Sequence, residues 1–350
     1  MNLVTGATGH IGNVLVRQLL ERGERVRALV RGGRRPLALE GLDVELVTGD
    51  VLQPDCLEAA MNGVEVVYHL AARISLSVGP DPETERVNLQ GTRNVLEAMR
   101  KARPGRLVYA GSIYAFQETA EGIPIDETRP FEVEHCRGVY DASKAKASLA
   151  VLKAVTAGLD AVIVCPTAVI GPYDYHDSEA GRAIQLYMRP GIKFLVEGAY
   201  DFVDVRDVAG GLILAASEGR GGETYILGGE RMTIREVAHA VWEATNLRHL
   251  NITIPPWLAY FVADLMPFYA ELTRTRPLFT RYSLDAVRSN SMVSHAKASR
   301  ELGYAPRPAR EAIVDTVRWF QSRMGTEILA EVKKEAAARG PPPLVLSQTG

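Results

Sequence analysis

The feature that most constrains the fold is a glycine loop that follows a short apolar run at the start of the chain. Gly6, Gly9 and Gly12 stand three residues apart, between the strand-like run Asn2–Thr5 and the helix-like stretch Asn13–Arg22. Glycine permits a positive φ and a close approach of backbone to phosphate, and the following helix presents free N–H groups to an anion. A simple tight turn is the alternative. Because a strand precedes the loop and a helix follows it, we predict a site for a dinucleotide pyrophosphate.

Short apolar runs and helical patterns alternate along the first half of the chain. Such alternation is typical of βαβ units with right-handed crossovers. We therefore expect an α/β fold with a doubly wound, parallel sheet of the Rossmann type. The strand-like runs are Asn2–Thr5, Arg25–Val30, Val44–Thr48, Val64–Leu70, Arg106–Ala110 and Ala161–Val164, and the helix-like stretches are Asn13–Arg22, Asp55–Met61, Glu83–Ala102 and Tyr140–Thr156.

Beyond about Pro166 the pattern loosens, which predicts a second and smaller part. Thr233 has Glu236 three residues on, the spacing of a capping box that opens a helix. We expect residues 1–165, rejoined by about 203–229, to form the dinucleotide-binding domain. Residues 166–202 and 230–325 are expected to form a smaller mixed C-terminal substrate lobe, and residues 326–350 a frayed helix and a disordered tail.

The overall composition is that of an ordinary soluble globule, with 47% hydrophobic and 23% charged residues. A net charge of −2 indicates neither nucleic acid nor an anionic membrane as a main partner. No apolar run reaches the roughly 18 residues needed to span a bilayer. Cys56, Cys136 and Cys165 have neither a disulfide framework nor metal-ligand spacing. We expect a cytoplasmic protein that needs no metal, is not an integral membrane protein and acts on a small molecule.

The second strand-like run ends in a basic loop. An NAD site usually carries an acidic residue at this position, but this chain has Arg31, Arg34 and Arg35. Guanidinium groups bind phosphate through charge-assisted, bidentate hydrogen bonds, so the cluster favours NADP(H) over NAD(H). A solvated basic loop is the alternative. Asp50 and Val51 end the third run, where they are expected to meet the adenine, although Asp50 could equally be a polar strand end.

Tyr140 and Lys144 stand four residues apart in a helix-like stretch, which places them on one face of the helix. A free tyrosine has a pKa of about 10, and a neighbouring ammonium favours the phenolate. We expect Tyr140 to exchange a proton with a substrate oxygen while a hydride moves at a nicotinamide. Ser112, at the end of the fifth run, is expected to bond the same oxygen. An ordinary surface pair is the alternative for the tyrosine and the lysine.

Several motifs spread over about residues 1–322 support these expectations. They are Val4–Gly12, His69–Ala72, Asn88–Thr92, Cys165–Pro172, Phe202–Val208, Leu302–Arg307 and Trp319-Phe320, together with Ser112, Tyr140 and Lys144. This set resembles the extended short-chain dehydrogenase/reductase superfamily. Within it the set is most similar to the bacterial dihydroflavonol-reductase-like branch, which includes proteins labelled hopanoid-associated sugar epimerases. Gly111 stands where a second serine is usual, and Arg206 where a histidine often stands, which leaves the substrate class open.

The resemblance implies a doubly wound sheet with a small C-terminal lobe, a homodimer, and Ser112, Tyr140 and Lys144 as the catalytic set. It implies that Pro166 lies beside the nicotinamide and that Asn88 steadies the active-site end of its helix. The cofactor contacts expected in full, apart from the basic loop, are Gly6, Thr8, Gly9, His10, Ile11, Gly12, Asp50, Val51, Leu70, Ala71, Ala72, Asn88, Pro166 and Val169.

Three functions fit these features. The leading one is the NADP-dependent reduction of a ketone or aldehyde on a fairly apolar small molecule. The second is a nucleotide-sugar epimerase or dehydratase, or a 3β-hydroxysteroid-type dehydrogenase/isomerase, in which the cofactor stays bound. The third is a nucleotide sensor without catalysis, a kind of protein that typically loses the tyrosine or the lysine.

Some residues outside these motifs are candidates for the substrate site. Asp174, His176 and Arg182 are expected either to line it or to lie in a solvated loop. The apolar stretch Trp257–Leu265 predicts either an ordinary core helix or an apolar wall for the substrate. The pair His135-Cys136 is expected to be plain loop, with a thiol nucleophile as the alternative.

Overall fold

The computed structural model of the protein describes residues 1–32, 35–75, 79–246, 250–273 and 280–339. Its strands are β1 (Asn2–Thr5), β2 (Val26–Val30), β3 (Glu45–Thr48), β4 (Val66–His69), β5 (Arg106–Ala110), β6 (Ala161–Pro166), β7 (Ala168–Ile170), β8 (Lys193–Leu195), β9 (Ala199–Asp204), β10 (Thr224–Leu227), β11 (Glu230–Thr233) and β12 (Asn251–Thr253).

The helices of these residues follow the same chain order. They are α1 (His10–Glu21), α2 (Pro54–Ala60), α3 (Pro82–Glu85), α4 (Gly91–Ala102), α5 (Val139–Thr156), α6 (Glu179–Met188), α7 (Val205–Ser217), α8 (Ile234–Thr245), α9 (Pro256–Thr273), α10 (Arg281–Arg288), α11 (Ala296–Leu302) and α12 (Ala309–Arg339). A π-helical turn, Arg86–Gln90, joins α3 to α4, and short 3-10 turns cover Leu37–Leu39 and Ile113–Ala115.

The central sheet has seven strands in the order β10-β6-β5-β4-β1-β2-β3. Every pair in it is parallel. Successive residues of β1 point to opposite faces, so Leu3 joins one apolar cluster with Met99 of α4, and Val4 joins another with Leu15 of α1. Helices therefore cover both faces. The predicted doubly wound Rossmann sheet is confirmed.

The strand order reverses at β1. The chain runs outward through β2 and β3 on one side, then returns to β4 on the other and continues to β5 and β6. In such sheets a crevice opens at the reversal, beyond the carboxyl ends of the strands, and ligands bind there. The residues that follow β1, β4, β5 and β6 share this edge, which is why the sequence motifs meet in space.

A smaller mixed lobe lies after β6. In it β9 pairs in parallel with β7 and antiparallel with β11, while β8 and β12 form a separate parallel ribbon. Helices α6, α8 and α12 share an apolar cluster that contains Ile184, Trp242 and Ile313. The predicted capping box is confirmed, since Thr233 and Glu236 exchange side-chain and backbone hydrogen bonds at the start of α8.

Two stretches differ from the sequence-based expectation. The predicted single helix Glu83–Ala102 is divided by the π-helical turn, which adds one residue to the turn that carries Asn88. The final helix α12 continues to Arg339, and residues 340–350 of the predicted tail lie outside the described residues. Within the described part of the chain, no helix combines the length and apolar character needed to cross a membrane.

Candidate active site

The glycine loop turns tightly between β1 and α1. Gly6 has a φ of +74°, in the left-handed region, and its carbonyl accepts a 2.9 Å hydrogen bond from the Gly9 N–H. A Cβ on Gly6 would lie 2.6 Å from the Ala71 nitrogen, and one on Gly12 would overlap the Gly6 carbonyl. Larger residues therefore cannot replace these two glycines without moving the backbone.

The N-terminus of α1 is free of acidic or capping side chains. Gly9 is its N-cap and makes no side-chain hydrogen bond, and the first turn contains no acidic residue. The unpaired N–H groups of such a turn attract an anion, as does the helix dipole. Thr8 and Ile11, on either side of this turn, are partly buried. The loop and this turn therefore fit the pyrophosphate of a dinucleotide.

The side chain of His10, the first residue of α1, contacts the protein itself. Its Nε2 lies 2.9 Å from the Pro172 carbonyl oxygen, in the loop after β7. Burial lowers the pKa of His10 below its ordinary value. Asn13 strengthens the same junction by donating a 3.1 Å hydrogen bond to the Tyr173 carbonyl. The imidazole therefore joins α1 to the loop after β7. Only the backbone of His10 is left to contact a pyrophosphate.

The end of β4 lies directly against the glycine loop. The Leu70 N–H donates to the Thr5 carbonyl at 3.1 Å, and the Ala71 N–H to the Thr5 hydroxyl at 3.3 Å. His69 is sandwiched between two hydroxyls, with Nδ1 2.7 Å from Thr5 Oγ1 and Nε2 3.0 Å from Thr92 Oγ1. Burial lowers the pKa of His69 to about 3, so the ring is neutral and acts as a brace.

The basic loop is divided between two roles. Arg31 follows β2 and is exposed, whereas Arg35 donates to the Leu39 carbonyl at 3.2 Å and to the Leu42 carbonyl at 2.6 Å. The Arg35 guanidinium therefore holds its own loop. Arg34 lies outside the described residues. Arg31 and Arg35 are both exposed, and Arg31 lies at the end of β2.

Asp50 and Val51 lie where the third strand leads into α2. Asp50 Oδ1 accepts a 2.9 Å hydrogen bond from the Leu52 N–H, an arrangement that ends a strand with a turn. Val51 is buried against Gly91 at the start of α4, where an added Cβ would lie 2.8 Å from the valine. Asp50 therefore serves its own turn, and Val51 lies buried between that turn and α4.

The catalytic candidates meet at the ends of β5 and α5. Ser112 caps the short 3-10 turn, its Oγ accepting a 3.2 Å hydrogen bond from the Tyr114 N–H. The Ser112 side chain lies near the Tyr140 phenol. Lys144, buried one turn along α5, donates a 2.6 Å hydrogen bond to the Ala110 carbonyl. The structure thus brings together all three residues predicted from the sequence.

The protonation of these groups differs from the sequence-based expectation. Burial raises the pKa of Tyr140 to about 12, and the nearby Ser112 hydroxyl opposes this only in part. Burial lowers the pKa of Lys144 to about 8. The expected depression of the tyrosine pKa by the lysine is therefore wrong for these residues by themselves. Removal from water disfavours the charged phenolate, and this is the largest influence on the Tyr140 pKa.

Asn88 links the chain after β4, the π-helical turn and α5. Its Oδ1 accepts from the Arg73 N–H at 2.8 Å, and its Nδ2 donates to the Arg73 carbonyl at 3.0 Å. The same amide donates to Ser143 Oγ on α5 at 2.9 Å. The π-helical turn places this buried amide between the chain after β4 and α5, so Asn88 positions the residue next to Lys144.

A cleft that is open to solvent lies beside this group. It is lined by the residues that directly follow Ser112, Tyr140 and Pro166 in the chain. Pro166 is buried at the end of β6, and Val169 on β7 is partly buried. These three lining residues are Ile113, Asp141 and Thr167, and the rest of the lining includes Tyr114, Phe116, Glu118, Arg137, Tyr200, Asn290 and Ser291.

The polar side of this cleft was not foreseen from the sequence. Asp141 accepts a 2.6 Å hydrogen bond from the Tyr282 hydroxyl of α10, and burial raises the pKa of Asp141 to about 6. Arg137 pairs with Glu118 at 2.5 Å and lies over the Tyr114 ring. The position of Asp141 next to Tyr140 was the one sequence signal that could have drawn attention to it.

Other sequence candidates lie away from the cleft. Asp174 is buried and accepts a 2.8 Å hydrogen bond from the Ser178 N–H, His176 is exposed, and Arg182 pairs with Glu179 at 2.9 Å. Cys136 does line the cleft. Burial raises the pKa of its thiol to about 11, which keeps it protonated at neutral pH and argues against a nucleophile.

The stretch Trp257–Leu265 is neither a core helix nor part of the cleft lining. It belongs to α9, whose Trp257 and Phe261 are exposed. Within the residues that the structure describes, no three His, Cys, Asp or Glu side chains are grouped as metal ligands would be.

A Rossmann-type sheet with a glycine loop at its switch point, a cleft on the same edge and a mixed C-terminal lobe define a class of NAD(P)-dependent enzyme, the extended short-chain dehydrogenases/reductases. A sequence model of the NAD dependent epimerase/dehydratase family matches residues 2–228 of this chain. The protein belongs to that family.

Similar proteins share nearly the whole length of the chain. A protein from Methylococcus capsulatus named sterol demethylase protein B is 36% identical over 325 residues, covering 92% of this chain and 98% of that protein. A putative dihydroflavonol 4-reductase from Synechocystis is 35% identical over 328 residues, covering 91% and 94%. The crystal structure of gox2253 superposes with a TM-score of 0.80 at 36% identity, covering 92% and 98%. The predicted resemblance is confirmed.

Proposed function

We propose that this enzyme reduces a ketone or aldehyde of a fairly apolar small molecule, with NADPH as the hydride donor. The observation that carries the proposal is the Tyr140 phenol, which lies near Ser112 and next to a cleft at the carboxyl edge of the sheet. One relative is named for a sterol and another for the reduction of a dihydroflavonol, and both names support an apolar carbonyl substrate.

The protonation of Tyr140 supports the direction of reduction. With a pKa of about 12 the phenol is protonated at neutral pH and can donate to a carbonyl oxygen. Ser112 would orient that oxygen through its hydroxyl, and Lys144, one turn along α5, would hold the ribose of the cofactor and stabilise the phenolate that donation leaves. When bound, NADPH supplies the hydride. Oxidation of an alcohol would require the scarcer phenolate form at the outset.

The preference for NADP(H) is proposed from Arg31. This exposed guanidinium at the end of β2 suits the 2′-phosphate of the adenosine ribose. Arg35 contributes by shaping the loop, since its donors are engaged with backbone carbonyls. The glycine loop, Leu70–Ala72, Pro166 and Val169 would hold the rest of the dinucleotide.

The wider arrangement is also proposed by likeness to the family. The dinucleotide-binding domain would comprise residues 1–165 with about 203–229, and the substrate lobe 166–202 with 230–325. We propose a homodimer formed through α4 and α5 and a cytoplasmic location, which suits three free cysteines.

A second candidate is an epimerase, a dehydratase or a 3β-hydroxysteroid-type dehydrogenase/isomerase. The polar lining of the cleft favours it, because Arg137, Glu118 and Asp141 could bind the hydroxyl groups of a sugar or a nucleotide. In these reactions the cofactor is reduced and reoxidised within one turnover.

The two candidates differ in what happens to the cofactor. Mass spectrometry of the purified protein identifies any retained nucleotide, and the absorbance of reduced nicotinamide follows turnover on a panel of apolar ketones and nucleotide sugars. Stoichiometric oxidation of exchangeable NADPH by a ketone supports the reductase. Retained NAD(H) and sugar conversion without net oxidation would establish the second candidate, and NADPH binding without turnover on either panel would exclude both.

A further inference from the structure

One face of the β8–β12 ribbon consists of large apolar side chains that the fold leaves in water. Phe194 pairs in register with Ile252, so the two side chains point to the same face, and they are 63% and 49% exposed. Ile192 and Leu250 precede them by two residues on the two chains and are 55% and 76% exposed. Leu195, on the opposite face, is 1% exposed.

Helix α9 follows the ribbon and also exposes large apolar side chains to water. Trp257, Phe261 and Leu265 stand four residues apart on one side of the helix and are 70%, 60% and 51% exposed. Ala259 and Ala263 are buried in a small cluster with Leu284 of α10. The helix therefore packs through its small residues and presents its large ones outward, the reverse of an ordinary surface helix.

The ribbon and the helix belong to one corner of the lobe. The Ile254 N–H donates a 2.9 Å hydrogen bond to the Leu195 carbonyl, and Ile254 packs in the same cluster as Ala259. We call the exposed set the apolar ridge: Ile192, Phe194, Leu250, Ile252, Trp257, Phe261 and Leu265. Monomeric soluble proteins rarely expose contiguous apolar patches of this kind unless the patch binds something.

The charges around the apolar ridge indicate what it binds. Residues 180–196 and 244–263, which supply all of the ridge except Leu265, contain no Asp or Glu and several basic residues. Arg189 is exposed just before β8, and Arg235 donates a 2.5 Å hydrogen bond to Thr253 Oγ1 of β12. Acidic residues flank these segments: Glu197 is exposed just after β8, and Asp264 on α9 is paired with Arg281 at 3.0 Å.

We propose that the apolar ridge is a docking surface for an anionic lipid bilayer, inserted at the level of the headgroups. Tryptophan, phenylalanine and leucine on one side of a helix, bordered by arginine, are typical of proteins that lie on a membrane without crossing it. Anionic headgroups attract the basic border, while the ridge loses its contact with water. The attachment does not depend on the reaction at Tyr140. If the substrate is apolar, as proposed above, docking would place the enzyme where that substrate dissolves.

Vesicle sedimentation tests the proposal without measuring activity. The wild type is compared with a Trp257→Ser/Phe261→Ser variant, on phosphatidylcholine vesicles with and without phosphatidylglycerol. We expect the wild type to sediment with the anionic vesicles. The variant should bind them at least about tenfold more weakly. A matched control is Leu37→Ser/Ile123→Ser, which removes two other exposed apolar side chains, 60% and 46% exposed, and should bind like the wild type.

Several outcomes would overturn the docking surface. They are failure of the wild type to bind anionic vesicles, equal binding by the wild type and the ridge variant, and equal loss in the control variant. Sedimentation velocity without lipid tests whether a second copy of the chain occupies the ridge instead. If the ridge variant alone changes the number of subunits, the ridge is an interface between copies of this chain. Thermal melting checks that each variant is folded, which the exposure of the substituted residues favours.

Discussion

The Tyr282 hydroxyl on α10 donates a 2.6 Å hydrogen bond to Asp141, the residue that follows Tyr140 on α5. Both partners are buried, with Tyr282 3% and Asp141 2% exposed. A helix of the C-terminal lobe is thereby tied to the first turn of α5, which carries Tyr140 and Lys144. The bond therefore joins two parts of the chain beside the cleft that are 141 residues apart.

The pH dependence of stability should report this buried carboxyl. Burial raises the pKa of Asp141 from an ordinary value of about 4 to about 6, so the folded state favours the protonated acid. The stabilisation is complete below pH of about 4 and is lost as pH rises through about 6, a change of about 3 kcal/mol. We expect Asp141→Asn to remove this part of the dependence in urea unfolding followed across that range. Parallel curves for the two proteins would contradict it.

The Tyr282→Phe substitution tests the link between the lobe and the catalytic helix. It leaves a buried carboxyl without its donor, so we expect a loss of about 1 to 3 kcal/mol in the free energy of unfolding. Tyr260→Phe is the matched control, because Tyr260 donates a 2.7 Å bond to Asp285 at the surface, and it should change stability little. Equal losses in the two variants would show that the buried bond contributes no more to the free energy of unfolding than the surface bond does. Urea denaturation measures both.

The Tyr140→Phe substitution separates proton donation from cofactor binding. The phenyl ring keeps the shape but cannot donate to the substrate oxygen, so turnover should fall by about a hundredfold or more. NADPH affinity, measured by fluorescence titration, should change by less than about threefold, because the side chain keeps its packing. Tyr200→Phe, another tyrosine of the cleft lining, serves as the control and should retain most turnover. A parallel loss of binding and turnover in Tyr140→Phe would remove the assigned role.

The Arg31→Asp substitution tests cofactor choice. A carboxylate would repel a 2′-phosphate and could bond the free ribose hydroxyls of NADH, so NADPH affinity should fall by about tenfold or more while NADH affinity is kept. Arg22→Asp removes another exposed arginine, at the C-terminal end of α1, and should affect both cofactors equally and little. Isothermal titration gives the four affinities. An equal loss for both cofactors in Arg31→Asp would exclude a 2′-phosphate contact.

Local patterns in the sequence were enough to predict the central sheet and the main site motifs. Glycine spacing, alternating apolar runs and the four-residue step from Tyr140 to Lys144 depend on neighbours in the chain, and they recur unchanged in the structure. The meeting of Ser112 with Tyr140 was also predictable, because strand ends share one edge of a parallel sheet. These features follow from backbone geometry, which short segments already specify.

The tertiary structure alone decided burial and partners. Whether Arg35 faces a ligand or its own loop, whether Tyr140 is acidic, and which side of α9 meets water all depend on groups distant in the chain. The net charge of −2 is an average over all residues and conceals the acid-free segments around the apolar ridge. Desolvation and packing arise only when distant segments come together, and so the pKa values, the polar cleft and the exposed face of α9 could not be derived from periodicity.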